Sequence, residues 1–347
     1  MNRSSIKAAA AKFICNTGIG RVFHSSNVPV VLAYHRVVED FSASLAVSNP
    51  SMLISLEMLE SHLDWVGRRY HFVGLDELGA RLESEDPAVG SFAAVTFDDG
   101  YRDFYELAFP LLQRKGIPAA LFVVTDHVDT PRVPMHDKLY LLLKRRRREL
   151  PGLSQLSGIL TMEPYTALRT MLQVLPSHVV QSVVETLEAD DPLPKDLCAQ
   201  FHSCSWDELR RVQQAGVTVG SHTRTHVLMP NESRSRVMDE AAGSRQVLQE
   251  QLGVPVRHFA YPNGAYDGAS VKAVAAAGYR FAYGTLPRGA SEDPLLTIPR
   301  TVLWEKSCAG PEGAFSGAVL DCHMLHAFDI FAEENRRPQA FCQGSGR

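Results

Sequence analysis

Cysteine is sparse in this sequence and shows no pairing. Its six cysteines (Cys15, Cys198, Cys204, Cys308, Cys322 and Cys342) are scattered, with no CxxC pair. This spacing argues against a disulfide framework and a cysteine metal site, so reduced thiols are expected. Long apolar runs are also missing: none reaches the roughly 18 residues of a transmembrane helix. Near the N-terminus, Lys12 breaks the stretch Ala8–Ala11 before Phe13, Ile14 and Cys15. A secretory signal needs about 7–15 uninterrupted apolar residues, so a cytoplasmic location is expected, with the inner membrane surface as the variant. Charge of one sign is lacking as well. A net charge of -4 over 347 residues gives no drive toward nucleic acid, and no nucleic-acid partner is expected.

What is present is the composition of an ordinary globular chain, 45% apolar and 21% charged, long enough for one large domain or two smaller ones. Continuous apolar runs at Val30–Tyr34, Ala93–Asp98 and Pro118–Thr125 read as strands buried on both faces. Between them, Leu56–Tyr70 and Asp103–Lys115 carry helical spacing. The same alternation resumes at Ser205, where Ser205 and Glu208 form a capping box. Strands then follow at Val217–Gly220, Arg257–Tyr261 and Arg280–Gly284, with helices at about Glu232–Leu252 and Asp267–Ala277 between them. Strand–helix alternation predicts a parallel sheet, open or closed into a barrel.

The alternation breaks over 131–199, where Leu139–Leu143, Leu168–Leu175 and Val179–Leu187 are helical without intervening strands. This segment is expected to be a helical insertion on a barrel loop. Its run Lys144–Arg148 is read as a solvated helix face, with contact to anionic lipid or glycan as the alternative. Residues 1–28 are expected to form a helical segment with Ile6, Ala9, Ala10, Phe13 and Ile14 on one stripe. The bland reading docks it on the domain. The sharper reading makes it a peripheral membrane-surface contact. Residues 29–130 and 200–305 would then form the barrel, and 306–347 a C-terminal tail.

Two motifs carry chemistry. Asp98 and Asp99 end an apolar strand, where neighbouring carboxylates repel and burial raises their pKa unless a cation compensates. His222 and His226, four residues apart, follow the apolar run Val217–Gly220. Alone, the first could be a turn in which Gly100 takes a positive φ, and the second could be hydrogen-bonded histidines. Both sit at C-terminal strand ends, where α/β proteins place their active sites. One carboxylate and two histidines, with room left for water, form the pattern of a hydrolytic metal centre.

Thr96–Gly100, the H-[ST]-x-x-H pattern of His222–His226, and Phe259–Gly264 together resemble the polysaccharide deacetylase family (carbohydrate esterase family 4). Val31–Val37 is similar to the first barrel strand of its bacterial exopolysaccharide-associated branch. The resemblance covers about 30–130 and 200–305. It implies a distorted (β/α) barrel of about seven parallel strands, a divalent metal, commonly zinc, and removal of acetyl groups from N-acetylated sugars. Carried over by motif, Asp98 is the general base, Asp99 joins His222 and His226 as metal ligand, and the backbone N–H of Asn263 stabilises the oxyanion.

The sequence departs from the family pattern in several places. Ala260 stands where the third motif commonly has an arginine that orients the base. Arg300 or Arg102 is expected to replace it. Asn263 stands where an aromatic residue is usual, and Tyr261 or Tyr266 could substitute as a sugar contact. Tyr101, Tyr261 and Asn263 are the candidate substrate-binding residues. The family's late histidine motif is not visible, so His35, at the end of the first strand, is the candidate general acid, ahead of His323 and His326. The expected substrate is an N-acetylated polysaccharide or glycan precursor. O-acetyl esters or a small cyclic amide on the same site, and a glycan-binding scaffold with a dead site, are the alternatives.

Overall fold

Apolar runs become the strands of one parallel sheet. In the computed structural model, which describes residues 7–13, 28–146, 151–285, 293–325 and 327–328, β1 (Val30–Tyr34) and β6 (Ala119–Val123) are buried along their whole length. So is β5 (Phe92–Phe97) beyond its first residue. Two short strands, β2 (Arg36–Val38) and β3 (Leu53–Ser55), pair with each other, and β4 (His71–Phe72) pairs with β5 off the main path. The path continues through β7 (Thr218–Ser221), β8 (His258–Ala260) and β9 (Phe281–Gly284), every pair parallel.

Closure depends on one chain segment. β10 (Ile298–Pro299) pairs with β9, while β11 (Thr301–Val302) pairs with β1. The Arg300 N–H donates to the Gly284 carbonyl at 2.8 Å, and the Leu303 N–H donates to the Ala33 carbonyl at 2.9 Å. Residues 298–302 thus cross from one edge of the sheet to the other and bend at Arg300. With that segment counted once, the ring has seven strands, a distorted (β/α) barrel as the family resemblance implies.

Helix ends follow their local signals. The capping box at Ser205 and Glu208 opens helix Trp206–Gln214. Helix Arg234–Leu252 begins after Ser233, whose side chain accepts from the Arg236 N–H, and stops at left-handed Gly253. The barrel unit spans Pro29–Lys306. Within it, helices Met135–Arg145, Pro164–Val174 and Ser177–Asp190 bury a separate apolar cluster that includes Leu139, Leu168, Met171, Val180 and Val184.

In the described part of the basic run Lys144 is exposed and the Arg145–Asp191 pair is open to solvent, in line with a solvated face, while each cation also bonds within the fold. The Lys144 ammonium donates to the Leu45 and Ala46 carbonyls, Arg145 pairs with Asp191, and the Arg146 guanidinium donates to the Leu160 carbonyl. Arg147 and Arg148 lie outside the described residues.

The terminal unit joins Met1–Val28 to Ser307–Arg347. In helix 7–13, Ala8 and Ala11 are the buried positions, packed with Val319, Cys322 and Ala327. Ala9, Ala10 and Phe13 of the expected stripe are exposed instead, and Ile6 and Ile14 lie outside the described residues. Among the described residues, no helix is long and apolar enough to cross a membrane.

Candidate active site

The backbone is strained where the motifs lie. Among the described residues, seven non-glycine residues have positive φ, and four of them are Asp99, Thr223, His226 and Asn263. A β-branched residue such as Thr223 is disfavoured there, and such strain collects at functional sites. Asp99 and Gly100, with φ of 69° and 71°, make consecutive left-handed turns. A Cβ on Gly100 would lie 2.9 Å from the Val123 side chain, so a glycine is required at that position.

Asp98 and Asp99, adjacent in sequence, face different partners. Arg300 grips Asp98 through two bonds of 2.7 Å, and both side chains are buried. The same guanidinium donates to Thr96 Oγ1, which donates in turn to the Leu32 carbonyl. Burial pushes the Asp98 carboxyl upward, but Arg300 and His222 outweigh burial and hold it at about 2. Arg102 is half exposed and pairs with Glu208 and Glu106. Of the two arginines expected beside Asp98, Arg300 is therefore the one that holds it.

Neither oxygen of Asp99 has a hydrogen-bond partner, although the residue is 1% exposed. Burial, the Asp98 charge and the Asp137 charge push its carboxyl well above the usual range. His226 Nε2 lies 3.3 Å and His222 Nε2 3.7 Å from Asp99 Oδ1. His222 Nδ1 lies 2.8 Å from the Ala260 carbonyl, which assigns the proton to Nδ1 and leaves Nε2 as a lone pair toward Asp99. Burial lowers the pKa of both imidazoles, keeping them neutral as a ligand must be.

Asp99, His222 and His226 can bring their ligand atoms within 4.8 Å of one another. A buried carboxylate without donors, facing two neutral imidazoles, fits a divalent cation with nitrogen and oxygen ligands.

A cleft of about 260 Å³ opens beside these groups. The barrel contributes His35, Asp99, His226 and Asn263, and the chain before β3 contributes Asn49, Ser51 and Met52. Helix Pro164–Val174 supplies the facing wall through Tyr165, Leu168, Arg169, Leu172 and Gln173. His35 Nδ1 has no hydrogen-bond partner, and burial lowers its pKa to about 4.

A model of the polysaccharide deacetylase family matches residues 86–282. The chain belongs to that family. Among its relatives are a putative polysaccharide deacetylase of Bacillus subtilis, 18% identical over 76% of this chain, and the poly-β-1,6-N-acetyl-D-glucosamine N-deacetylase of Escherichia coli K12, 22% identical over 79%. The alignments span 66% and 36% of those proteins, so the chain covers less than two thirds of either. In fold it is similar to a de-N-acetylase from Aggregatibacter actinomycetemcomitans (TM-score 0.54, 18% identity, 84% of this chain and 99% of that one). It is also similar to IcaB from Ammonifex degensii (TM-score 0.53, 19% identity, 86% and 97%).

Within this deacetylase-family barrel, two expected substrate contacts take other positions. Tyr261 is fully buried. Its hydroxyl donates to the Leu296 carbonyl and its ring packs on Phe259 and Tyr266. Tyr101 is 1% exposed. Its hydroxyl donates to the Asp137 carboxylate and lies 2.9 Å from His136 Nε2. It therefore anchors the insertion to the turn after β5 rather than facing the cleft. His323 bonds to Lys7 and the Ser307 carbonyl in the terminal unit, and His326 lies outside the described residues.

Sequence reasoning missed His136, which opens helix Met135–Arg145 and lines the cleft with its Nε2 3.7 Å from Asp99 Oδ2. The available signal was a His-Asp pair just after Pro134, at the start of an otherwise apolar helix.

Proposed function

We propose that the chain is a metal-dependent hydrolase that removes N-acetyl groups from sugar residues of a polysaccharide or glycan precursor. The observation that carries this reading is the division of labour at Asp98 and Asp99. One carboxylate is held ionised by Arg300, and the other is bare and faces His222 and His226. Asp99, His222 and His226 would hold a divalent metal such as zinc, which when bound polarises the acetamide carbonyl and acidifies a water.

The remaining steps belong to the chain's own groups. Arg300 orients Asp98, which takes the proton of the attacking water. With a pKa of about 2, the protonated Asp98 is a strong acid and hands that proton on readily. His35, neutral at rest and without a bonding partner at Nδ1, accepts that proton and delivers it to the departing amine. The Asn263 N–H donates to the developing oxyanion.

The test is acetate release from N-acetylglucosamine oligomers and from O-acetylated sugars, with wild type and Asp98→Asn. Release from the oligomers that falls by about 10²–10⁴-fold in the variant is expected. Release from the O-acetylated sugars alone would assign an esterase. Activity that survives Asp98→Asn would sink the mechanism.

A further inference from the structure

The helical insertion reaches the reacting centre through one helix face. Tyr165, Leu168, Arg169 and Leu172 stand at i, i+3, i+4 and i+7 along helix Pro164–Val174, and all four line the cleft that contains Asp99 and His226. The spacing that buries Ala167, Leu168 and Met171 in the insertion's core also fixes which residues meet the cleft. A conventional wall of this kind would be apolar or neutral. Here it carries a guanidinium.

Arg169 is exposed, and among the described residues no carboxylate pairs with it. By contrast, Arg145 and Lys138 of the neighbouring insertion helix are paired with Asp191 and Glu188. Around Arg169 the cleft offers neutral polar groups, Asn49, Ser51, Gln173 and Asn263, and an aromatic ring at Tyr165. Asp99, the cleft's acid, belongs to the proposed metal set. A volume of about 260 Å³ lies below the roughly 300–1,000 Å³ typical of pockets that enclose a drug-sized ligand. It holds one sugar ring at a time, with the neighbouring ring at its mouth.

We infer that the substrate is an N-acetylated sugar bearing an oxyanion, a phosphate or a carboxylate, on the acetylated ring or the one next to it, and that Arg169 is the residue that selects it. This deepens the deacetylase reading and rests on it. The planar fork of a guanidinium bonds two oxygens of a phosphate or carboxylate at once. An unpaired cation on the cleft wall also draws an anionic substrate inward.

Three probes separate the sources: N-acetylglucosamine, N-acetylglucosamine 1-phosphate, and a disaccharide of N-acetylglucosamine with glucuronic acid. Wild type is expected to favour at least one anionic probe over the neutral one by about tenfold in kcat/KM, through KM. Arg169→Gln should erase that preference by lowering kcat/KM on the favoured anionic probe far more than on the neutral one, and Arg169→Lys should keep part of it. Whichever anionic probe is favoured identifies the oxyanion.

Equal handling of all three probes by wild type would overturn the inference. So would a preference that survives Arg169→Gln, or an equal loss on every probe. Calorimetric binding of glucosamine 1-phosphate and of the glucosamine–glucuronate disaccharide to metal-free protein gives a readout independent of turnover. Weaker binding of at least one of them to Arg169→Gln is expected, and unchanged affinity for both would count against the inference. Absence of acetate from every probe would instead strike the deacetylase reading.

Discussion

Replacing Arg300 by glutamine tests the centre of the site. Both partners of the Arg300–Asp98 pair are buried, with side chains 1% and 4% exposed, and they meet through two bonds of 2.7 Å. Removing one partner of a buried pair leaves an uncompensated charge and typically costs about 3–5 kcal/mol. The pKa gives a second measure. Holding the Asp98 carboxyl at about 2 rather than its ordinary 3.8 contributes about 2.5 kcal/mol of stability at neutral pH.

Because the folded-state value is depressed, that contribution is fully present above about pH 4 and is lost as pH falls toward 2. In Arg300→Gln, burial is no longer opposed by the guanidinium. The carboxyl of the variant then titrates above its ordinary value, so acid relieves the variant as it weakens wild type. Urea unfolding of metal-free protein should show a gap of about 3–5 kcal/mol at pH 7 that narrows by at least about 1 kcal/mol at pH 3. Arg300→Lys should retain part of the pH dependence, since it keeps the charge but loses the fork. A gap of the same size at both pH values would show that the cost is lost packing and would refute the pairing argument.

Two further outcomes follow from the same geometry. His226→Ala should weaken metal binding by at least about 100-fold, measured by titration into metal-free protein. Binding at wild-type affinity would remove His226 from the ligand set. His35→Gln should slow amide cleavage by about 10²-fold. It should slow cleavage of an activated acetate ester far less, because that leaving group needs no proton. Equal losses on both substrates would assign His35 to binding instead of proton delivery.

Local pattern alone carried much of this fold. Val30–Tyr34 and Ala119–Val123 are strands because continuous apolar runs are stable only when both faces are covered. Ser205 and Glu208 mark a helix start because their side chains satisfy each other's backbone donors. The motif pairs were legible for the same reason. Asp98 and Asp99 share one turn, and His222 and His226 share another, so their proximity is built into the chain.

Other features needed the closed barrel. Arg300 and Asp98 are 202 positions apart and meet because residues 298–302 bend between β9 and β1. No spacing rule could have chosen Arg300 over Arg102. Tyr101 and Tyr261 looked like sugar contacts because aromatic residues beside a motif are plausible stacking surfaces. Packing turned both inward. The insertion read as helices with apolar faces, but which face meets the cleft depends on how those helices dock. His136 and Arg169 therefore were placed at the cleft only in three dimensions.

By itself, then, the sequence determined the strand–helix alternation, the aspartate and histidine pairs at the strand ends and the presence of a helical insertion. All three are encoded by periodicity and near-neighbour chemistry. Tertiary structure alone decided which arginine holds Asp98 ionised and which insertion side chains wall the site. Those depend on where distant segments land when the barrel closes.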